Sequence, residues 1–236
     1  MLEQPPLLRI RRGFARAEPE LVAAFARAES AQVADALAAA TPGAGGALDA
    51  RIQALAAIPF ERTIAGPALT CETGPADVLA ALAALDASKP GDVLLIATGG
   101  WMGTASIGDL FAGAARNAEI AAIVTDGAVR DVDGLARAGV PVFAAGLTPA
   151  SPAATGPGTI GLPVAIGGRL VDAGDVVVCD RTGIVVVPLG AAAATASALE
   201  RVLALEAEEA ERVAAGQVLP DAIRELLASG RVREVD

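Results

Sequence analysis

Three short runs of consecutive apolar residues constrain the fold of this chain more than any other feature. They are VLLIA (93–97), AAIV (121–124) and VPVFAA (140–145), and each is shorter than an ordinary helix. Segments with helical patterns separate them, at 110–118 and at 132–138. Runs that are apolar on both faces are typical of strands inside a covered sheet. The alternation of strand and helix therefore predicts an α/β domain with a largely parallel sheet.

The segment before these runs predicts an arm, helices and one long strand. Residues 1–18 contain prolines and arginines and predict an N-terminal arm. Helical patterns cover 19–40, where Ser30 is a candidate N-cap, and recur near 48–57. The stretch IAGPALTCET (64–73) combines alternation with β-branched residues and predicts a strand that leads into a further helix.

The segment after these runs predicts a loop, short strands and a helical end. Residues 147–161 are rich in proline and glycine and predict a long loop. The following β-rich pieces are separated by glycine turns, with DRTG (180–183) as a hairpin connection. Residues 191–236 predict a C-terminal helical extension that carries many glutamates. We expect one domain over residues 1–236.

Charge and hydropathy exclude two classes of partner. A net charge of -10 without a basic stripe opposes binding to nucleic acid. No apolar run approaches the roughly 20 residues that span a bilayer, and the beginning of the chain does not resemble a secretory signal. We expect a soluble protein in the cytoplasm. Cys71 and Cys179 lie far apart in apolar stretches, which predicts buried, reduced thiols.

The residues that the chain lacks restrict its chemistry further. The sequence contains no histidine, which excludes Ser-His-Asp and Cys-His catalysis and most zinc or iron sites. Its single lysine, Lys89, lies in the turn-like KPGD segment, so Schiff-base chemistry is not expected. Carboxylates, arginine, backbone amides and water remain, together with a hard cation such as Mg²⁺ or Mn²⁺ held by oxygen.

One pair of charged residues is placed where open α/β sheets bind ligands. Twenty residues separate Asp109 from Arg130, enough for one helix, one connection and one strand, so both loops reach the same edge of the sheet. Gly108 allows a ligand to approach the backbone, and the amides of Leu110 and Phe111 at the helix start can hold a carboxylate. This spacing predicts a site for a small anion.

Arg130 is suited to hold the same anion from the second loop, since a guanidinium binds a carboxylate through two parallel hydrogen bonds. A structural alternative stays open. Asp109 and Asp131 could each cap a helix, and Arg130 could be an ordinary surface residue. Asp126 is explained as a turn residue and Asp133 as an acid in the first turn of a helix.

Several motifs together resemble one known family. The chain is similar, over roughly residues 30 to 190, to the RraA-like family. This family includes 4-hydroxy-4-methyl-2-oxoglutarate/4-carboxy-4-hydroxy-2-oxoadipate aldolases and the regulator of ribonuclease activity A. The motifs that carry the resemblance are VADAL (33–37), AGPALT (65–70), KPGDVLLI (89–96), GDLFAGAA (108–115), IVTDGAVRDVDGL (123–135), GVPVFAAGLTPASP (139–152) and the GDVVVCDRTGIVVVP run.

The resemblance implies a three-layer β/β/α fold of the swivelling-domain type, assembled as a homotrimer or homohexamer with active sites between subunits. It implies that Asp131 holds a divalent metal and that an acid from the adjacent subunit's C-terminal helix contributes, for which Glu206 is the candidate. It also implies a substrate site for the 2-oxo acid, with Arg130, Asp131 and Asp109 catalytic. The substrate-binding residues that it implies are Gly108, Asp109, Leu110, Phe111 and Arg130.

Two functional hypotheses follow. The first is a class II, divalent-metal-dependent aldolase (lyase) that cleaves a 4-hydroxy-2-oxo acid, such as 4-hydroxy-4-methyl-2-oxoglutarate, to pyruvate, with possible oxaloacetate decarboxylase activity. A metal-ordered water near Arg130, assisted by Asp109, would act as the base. The alternative is a non-catalytic trimeric regulator that binds a protein partner such as a ribonuclease. The acid at 109 resembles the aldolases and favours the first hypothesis.

Overall fold

The computed structural model describes residues 5–55 and 63–235 and shows a mixed α/β fold. Seven α-helices are described: α1 Pro19–Phe25, α2 Ser30–Ala40, α3 Leu79–Ala87, α4 Asp109–Asn117, α5 Val132–Ala138, α6 Ala192–Ala214 and α7 Asp221–Ala228. The first seven strands described are β1 Leu8–Ile10, β2 Gln53–Ala54, β3 Ile64–Thr73, β4 Val93–Ala97, β5 Ala122–Thr125, β6 Ala128–Val129 and β7 Val142–Ala144. The remaining six are β8 Gly146–Leu147, β9 Gly158–Ile160, β10 Val164–Ile166, β11 Arg169–Val171, β12 Val176–Cys179 and β13 Ile184–Val187.

The central sheet has the strand order β1-β9-β3-β4-β5-β7-β2. Its four inner strands β3, β4, β5 and β7 run parallel, as the alternation of strands and helices predicts. The three apolar runs supply β4, β5 and β7, and every residue of these strands is buried. Burial on both faces explains why the runs are continuous and do not alternate.

A second layer of strands and a layer of helices cover the two faces of this sheet. One face packs with α3, α4 and α5 around a core that includes Leu69, Leu94 and Ile123. The other face packs against β10, β12 and β13, with Leu95 and Val124 in a second core. The long strand β3 belongs to both layers of strands, because its first half pairs with β12 and its second half with β4. The predicted β/β/α arrangement is confirmed.

Several short strands were not predicted from the sequence, and two of them extend the central sheet. Leu8–Ile10 forms β1 inside the predicted arm, and Gly158–Ile160 forms β9 at the end of the predicted loop. The two strands pair in parallel, and β9 pairs antiparallel with β3. The helix predicted near 48–57 is wrong for residues 48–55, which form a turn and β2, while residues 56 and 57 lie outside the described ranges.

The predicted cap of the second helix is also corrected. Ser30 is the first residue of α2, and its backbone N–H and its hydroxyl both donate to the carboxylate of Asp180, at 2.6 and 2.8 Å. Asp180 follows β12 in the hairpin turn and also accepts the N–H of Thr182. Burial alone would raise the pKa of Asp180, but these hydrogen bonds outweigh it and lower the pKa.

Replacing Asp180 with alanine is expected to lower the free energy of unfolding by about 3 kcal/mol at pH 7, because buried donors at the start of α2 lose a charged acceptor. The lowered pKa means that this contribution is complete above the unfolded pKa of about 4 and disappears as the pH falls through the folded pKa. The free energies of unfolding of the wild type and of Asp180→Ala, measured by denaturant titration, should therefore differ at pH 7 and become equal in acid. Asp35→Ala, at an exposed position of α2, is the control, and an equal effect of both substitutions would contradict the assignment.

The chain divides into two compact units, Met1–Leu199 and Glu200–Asp236. The second unit contains the end of α6 and all of α7, and the described residues of α7 include none that is buried. No helix in the described ranges is long and apolar enough to cross a membrane. Cys71 and Cys179 are buried and unpaired, as predicted, and burial raises the pKa of both thiols.

Candidate active site

The predicted site residues meet at the carboxyl ends of β4 and β5. The loop after β4 leads to α4, which begins at Asp109, and the segment after β5 leads through β6 to Arg130. The backbone N–H of Arg130 donates to the carbonyl oxygen of Ile107 at 3.1 Å, so the two loops are joined directly. Parallel strands place their carboxyl ends at one edge of the sheet, which explains why a spacing in the sequence predicted this neighbourhood.

Asp109 packs between the first turns of two helices. Its carboxylate accepts the N–H of Leu110 at 2.8 Å. A Cβ atom placed on Gly134 in α5 would lie 2.4 Å from the Cβ of Asp109, so only glycine leaves room for this side chain. The amide of Leu110 donates to Asp109 in this structure, and the roles of the Leu110 and Phe111 amides in binding a ligand stay predictions. The side chain of Phe111 is buried in the core, and that of Leu110 is 87% exposed.

Arg130 and Asp131 form an ion pair beside Gly108. The Nε of Arg130 lies 3.1 Å from the Oδ2 of Asp131, and both side chains are partly exposed. A Cβ on Gly108 would lie 2.5 Å from the same Oδ2, with the guanidinium close by. Gly108 has an extended backbone (φ -139°), so the site requires glycine there for space and not for its conformation. The described geometry thus brings Gly108, Arg130 and Asp131 together.

Asp131 and Asp109 differ in their contribution to the helices that they precede or begin. Asp131 precedes α5 with a left-handed backbone (φ 59°, ψ 46°), and its side chain makes no capping hydrogen bond. The capping interpretation is therefore wrong for Asp131. Asp109 is the first helical residue, and among the described residues its carboxylate accepts the N–H of Leu110, so it satisfies one donor of the first turn. The conformation of Asp131 is uncommon outside glycine and is tolerated better by aspartate than by most residues.

The other two acids of this stretch have the structural roles that were predicted. Asp126 accepts hydrogen bonds from the N–H and hydroxyl of Thr98 and from the N–H of Gly100, which fixes the loop after β4. Asp133 lies in the first turn of α5.

Sequence reasoning missed the loop that closes one side of the site. The Nη1 of Arg130 donates to the hydroxyl of Ser151. Four residues further on, the N–H and hydroxyl of Thr155 donate to the carboxylate of Asp77, which precedes α3. Burial would raise the pKa of Asp77, but the hydrogen bonds to it prevail and lower the pKa. No local pattern could have identified these contacts, since both join residues that are distant in the sequence.

A shallow pocket of about 320 Å³ adjoins the ion pair. Arg130 and Asp131 line it together with Leu147, Thr148 and Pro149, among others. This volume is at the lower end of the range for small-ligand sites. A guanidinium has five N–H donors, and the contacts to Asp131 and Ser151 leave several of them for a carboxylate in the pocket.

Asp131 could hold a hard cation at this site if water molecules or another subunit supplied the remaining ligands. The described residues include no group of three or more acids or cysteines placed to hold a metal ion. Asp131 offers an exposed carboxylate, and Mg²⁺ commonly binds through one or two carboxylates while keeping several waters. Glu206 belongs to the separate C-terminal unit, and its role in a site with another subunit stays a prediction.

Lys89 lies at the opposite end of β4 from the site and is exposed. Its backbone N–H, not its ammonium group, is held by Asp92 in the turn. Within one chain, this exposed lysine at the amino end of the strand lies away from the carboxyl edge, and the expectation that Schiff-base chemistry is not used stays a prediction.

Comparison with known proteins places these features in context. A family model described as RraA-like (Aldolase/RraA) matches residues 30–186. A protein of Halalkalibacterium halodurans, named "Putative 4-hydroxy-4-methyl-2-oxoglutarate aldolase", is 38% identical over 127 residues, which are 54% of this chain and 60% of that protein. The match therefore spans about three fifths of that relative's length.

Two solved structures resemble the chain over most of their length. Streptomyces coelicolor RraAS2, described as an unusual member of the RNase ES inhibitor RraA family, has a TM-score of 0.72 at 30% identity and covers 84% of this chain and 100% of its own. The RNA-processing inhibitor RraA from Thermus thermophilis has a TM-score of 0.58 at 26% identity and covers 66% and 92%.

Proposed function

The chain belongs to the RraA-like family, and from this premise we propose that it is a divalent-metal-dependent aldolase that cleaves a 4-hydroxy-2-oxo acid to pyruvate and a second oxo compound. The observation that carries the proposal is the Arg130–Asp131 pair, which lies over Gly108 beside a pocket and next to the start of α4. The name of the Halalkalibacterium halodurans relative supports 4-hydroxy-4-methyl-2-oxoglutarate as a substrate.

Arg130 would bind the carboxylate of the 2-oxo acid. Its backbone is held by Ile107, its Nη1 by Ser151 and its Nε by Asp131, so the guanidinium is fixed before substrate arrives. A pre-organised cation stabilises negative charge that develops in a transition state without the cost of reorienting solvent. The same charge that binds the substrate carboxylate therefore lowers the barrier to forming an enolate.

The cleavage itself needs a base and a stabilised enolate. The 4-hydroxyl group loses its proton, the C3–C4 bond breaks, and its electron pair becomes the enolate of pyruvate, which is then protonated at C3. A water near Arg130, oriented by Asp109, would accept the hydroxyl proton. When bound, Mg²⁺ or Mn²⁺ supplies Lewis-acid stabilisation of the enolate charge, and Asp131 is the residue that would hold it. Oxaloacetate decarboxylation passes through the same enolate and would share the site.

A homotrimeric or homohexameric assembly belongs to this proposal, because the pocket beside Arg130 is open and the described residues of one chain include no group of three or more acids placed to hold a metal ion. In that assembly Glu206 of an adjacent subunit would add an acid to the site. The alternative function is a non-catalytic regulator with a protein partner, and it is supported by the similarity to two proteins that are described as members of an inhibitor family. Asp109 favours the enzyme, because an acid at this position resembles the aldolases of the family.

The test measures the exchange of the methyl protons of pyruvate for deuterium in D₂O. The exchange is monitored by NMR with and without Mg²⁺ or Mn²⁺. An aldolase of this type catalyses the exchange through the enolate, and the rate should depend on the cation. Release of pyruvate from a panel of 4-hydroxy-2-oxo acids and from oxaloacetate then identifies the substrate. Absence of exchange under every metal condition would overturn the aldolase proposal and favour the regulator.

Gly134→Ala is expected to lower kcat/KM by about 10- to 100-fold, because displacement of a positioned group by less than 1 Å has effects of this size. The added methyl group would overlap the Cβ of Asp109 and push the start of α4 away from α5. Gly113→Ala in α4 is the matched control, since a Cβ there meets no atom within 4 Å. Steady-state kinetics on both variants check the prediction, and equal activities would show that the position of Asp109 is unimportant.

A further inference from the structure

The loop between β8 and β9 carries Ser151 and is attached to the elements beside the candidate active site. At the start of this loop, the N–H of Thr148 donates to the carbonyl oxygen of Val129 in β6 at 3.0 Å. Directly before Ser151, the carbonyl oxygen of Ala150 accepts the N–H of Ala105 at 2.9 Å, in the segment that leads to α4. These two bonds fix the path of the chain up to Ser151.

The segment before α3 holds the same loop on the other side of Ser151. The N–H of Ala153 donates to the carbonyl oxygen of Ala76 at 2.7 Å, and its carbonyl oxygen accepts the N–H of Val78 at 2.9 Å. Ala76 has a left-handed backbone (φ 59°), which is uncommon for alanine and indicates that its surroundings impose it. Only Pro152, whose φ is restricted, separates Ser151 from Ala153. A shift of Ala153 would therefore displace Ser151.

The carboxylate of Asp77 completes this attachment. Its Oδ2 accepts the N–H and the hydroxyl of Thr155, at 2.6 and 3.0 Å, and the N–H of Gly156 at 2.9 Å. Its Oδ1 accepts the N–H of Leu79, the first residue of α3, at 2.8 Å. Asp77 is 7% exposed, so these charge-assisted bonds are shielded from water. One carboxylate oxygen thus holds the helix, and the other holds the loop.

We propose that Asp77 is a positioning residue for substrate binding, because it fixes the loop whose Ser151 hydroxyl orients the guanidinium of Arg130. Asp77 does not line the pocket beside Arg130, so its contribution passes through the loop. A long side chain loses less conformational freedom on binding a ligand when its orientation is already set. This role rests on the proposed aldolase function, in which Arg130 binds the carboxylate of a 2-oxo acid.

The substitution Asp77→Ser separates the two tasks of this carboxylate. Serine is also a common N-cap residue, and its hydroxyl oxygen can accept the N–H of Leu79. Its shorter side chain has one oxygen, which cannot hold Thr155 and Gly156 as well. If Asp77 served only to cap α3, then Asp77→Ser would bind substrate as the wild type does. A positioning role predicts weaker binding in this variant.

The experiment is a double-mutant cycle of Asp77→Ser and Ser151→Ala, with KM and kcat measured for the exchange of pyruvate methyl protons. Each single substitution is expected to lower kcat/KM by about 10-fold, since misplacement of a binding group by a fraction of an ångström has effects of about this size. The loss should lie mainly in KM, because reorienting the guanidinium weakens the ground state and the transition state equally.

The combined variant shows whether Asp77 acts through Ser151. In the Ser151→Ala background, Asp77→Ser should change kcat/KM by less than about twofold, because residues that act through one contact are not additive. Independent, additive losses would overturn the positioning role of Asp77, since the two side chains would then affect pyruvate by separate routes.

Substitutions of Thr155 provide a second test at an exposed position, where the fold should tolerate them. Valine removes the hydroxyl that donates to Asp77, whereas serine retains it. Thr155→Val should raise the KM for pyruvate about threefold, since one hydrogen bond has a modest net effect, and Thr155→Ser should restore the wild-type KM. Equal KM values for the two variants would contradict the attachment of the loop through Asp77.

Asp180→Ala is the control for a loss of stability without a loss of positioning. Asp180 is also a buried aspartate, and it accepts hydrogen bonds from the N–H and the hydroxyl of Ser30. It follows β12, whose last residue pairs with the first residue of β3, so it lies at the opposite end of the parallel strands from Arg130. Its KM for pyruvate should be unchanged. An equal rise in KM in Asp180→Ala and Asp77→Ser would overturn the positioning role.

A readout without turnover separates the role of Asp77 from the aldolase proposal. The Nε–H of Arg130 gives a ¹H–¹⁵N signal, assigned by its loss in Arg130→Lys, and its hydrogen exchange reports how firmly the guanidinium is held. This exchange should be at least about threefold faster in Asp77→Ser and in Ser151→Ala than in the wild type.

The two readouts give distinguishable failures. If the wild type does not exchange pyruvate protons, the aldolase proposal fails, while faster Nε–H exchange in Asp77→Ser still supports the orientation of Arg130 by Asp77. If the wild type exchanges pyruvate protons, and Asp77→Ser leaves both the KM and the Nε–H exchange unchanged, the positioning role is overturned and the aldolase proposal stands.

Discussion

Replacing Arg130 with alanine is expected to reduce kcat/KM for 4-hydroxy-2-oxo acids by about 1,000-fold, because both substrate anchoring and stabilisation of the enolate lose their cation. The fold should persist, since the backbone bond from Arg130 to Ile107 does not involve the side chain. Pyruvate release and pyruvate proton exchange should fall together, as both require the same enolate. Arg130→Lys should retain part of the activity, because it keeps the charge and loses the bidentate geometry.

The control for this substitution is Arg137→Ala. Arg137 is an exposed arginine in the last turn of α5, away from the pocket. The kcat/KM of Arg137→Ala should equal that of the wild type. The circular dichroism spectra and the size-exclusion elution of Arg137→Ala and Arg130→Ala should both match those of the wild type. If Arg130→Ala instead loses its folded, soluble form, the residue has a structural role. If it is folded and active, the proposed role in substrate binding is wrong.

The parallel core of the fold could be predicted because its signals are local. Residues 64–73 form β3 and residues 132–138 form α5 with the predicted bounds, and the apolar runs supply β4, β5 and β7. A buried parallel strand needs apolar residues on both faces, and such a run is visible in the sequence without knowledge of its neighbours.

The missed elements depend on contacts that are distant in the sequence. The strands β1 and β9 have three residues each and pair across about 150 positions, and neither contains enough residues to show a period of two. The same reason applies to Ser30, whose partner Asp180 also lies 150 positions away.

The candidate site was predicted in part for a geometric reason. The ends of neighbouring parallel strands meet at one edge, which brings Asp109 and Arg130 together whatever the intervening residues are. The sequence could not show that the carboxylate of Asp109 occupies the amide of Leu110, nor that Ser151 holds Arg130. Those contacts depend on side-chain orientation and on the path of a loop after β8.

Replacing Asp131 with asparagine is expected to lower kcat/KM by about 100- to 1,000-fold and to abolish its dependence on Mg²⁺ or Mn²⁺, because an amide is a poor ligand for a hard cation compared with a carboxylate. Asparagine removes the charge of Asp131 and adds little backbone strain. The left-handed conformation at position 131 is tolerated by asparagine, whereas alanine would add a conformational cost there. Binding of Mn²⁺ can be followed by electron paramagnetic resonance without turnover.

Asp133→Asn is the matched control, since Asp133 lies two residues further on and is also exposed. It should bind Mn²⁺ and respond to Mg²⁺ as the wild type does. The Arg130–Asp131 ion pair adds a second expectation, because its loss frees the Nε of Arg130 and weakens the positioning of the guanidinium. The KM for the substrate should therefore rise in Asp131→Asn even at saturating cation. A variant that keeps both its cation response and its KM would show that Asp131 neither holds the metal nor orients Arg130, and the proposed site would have to lie elsewhere.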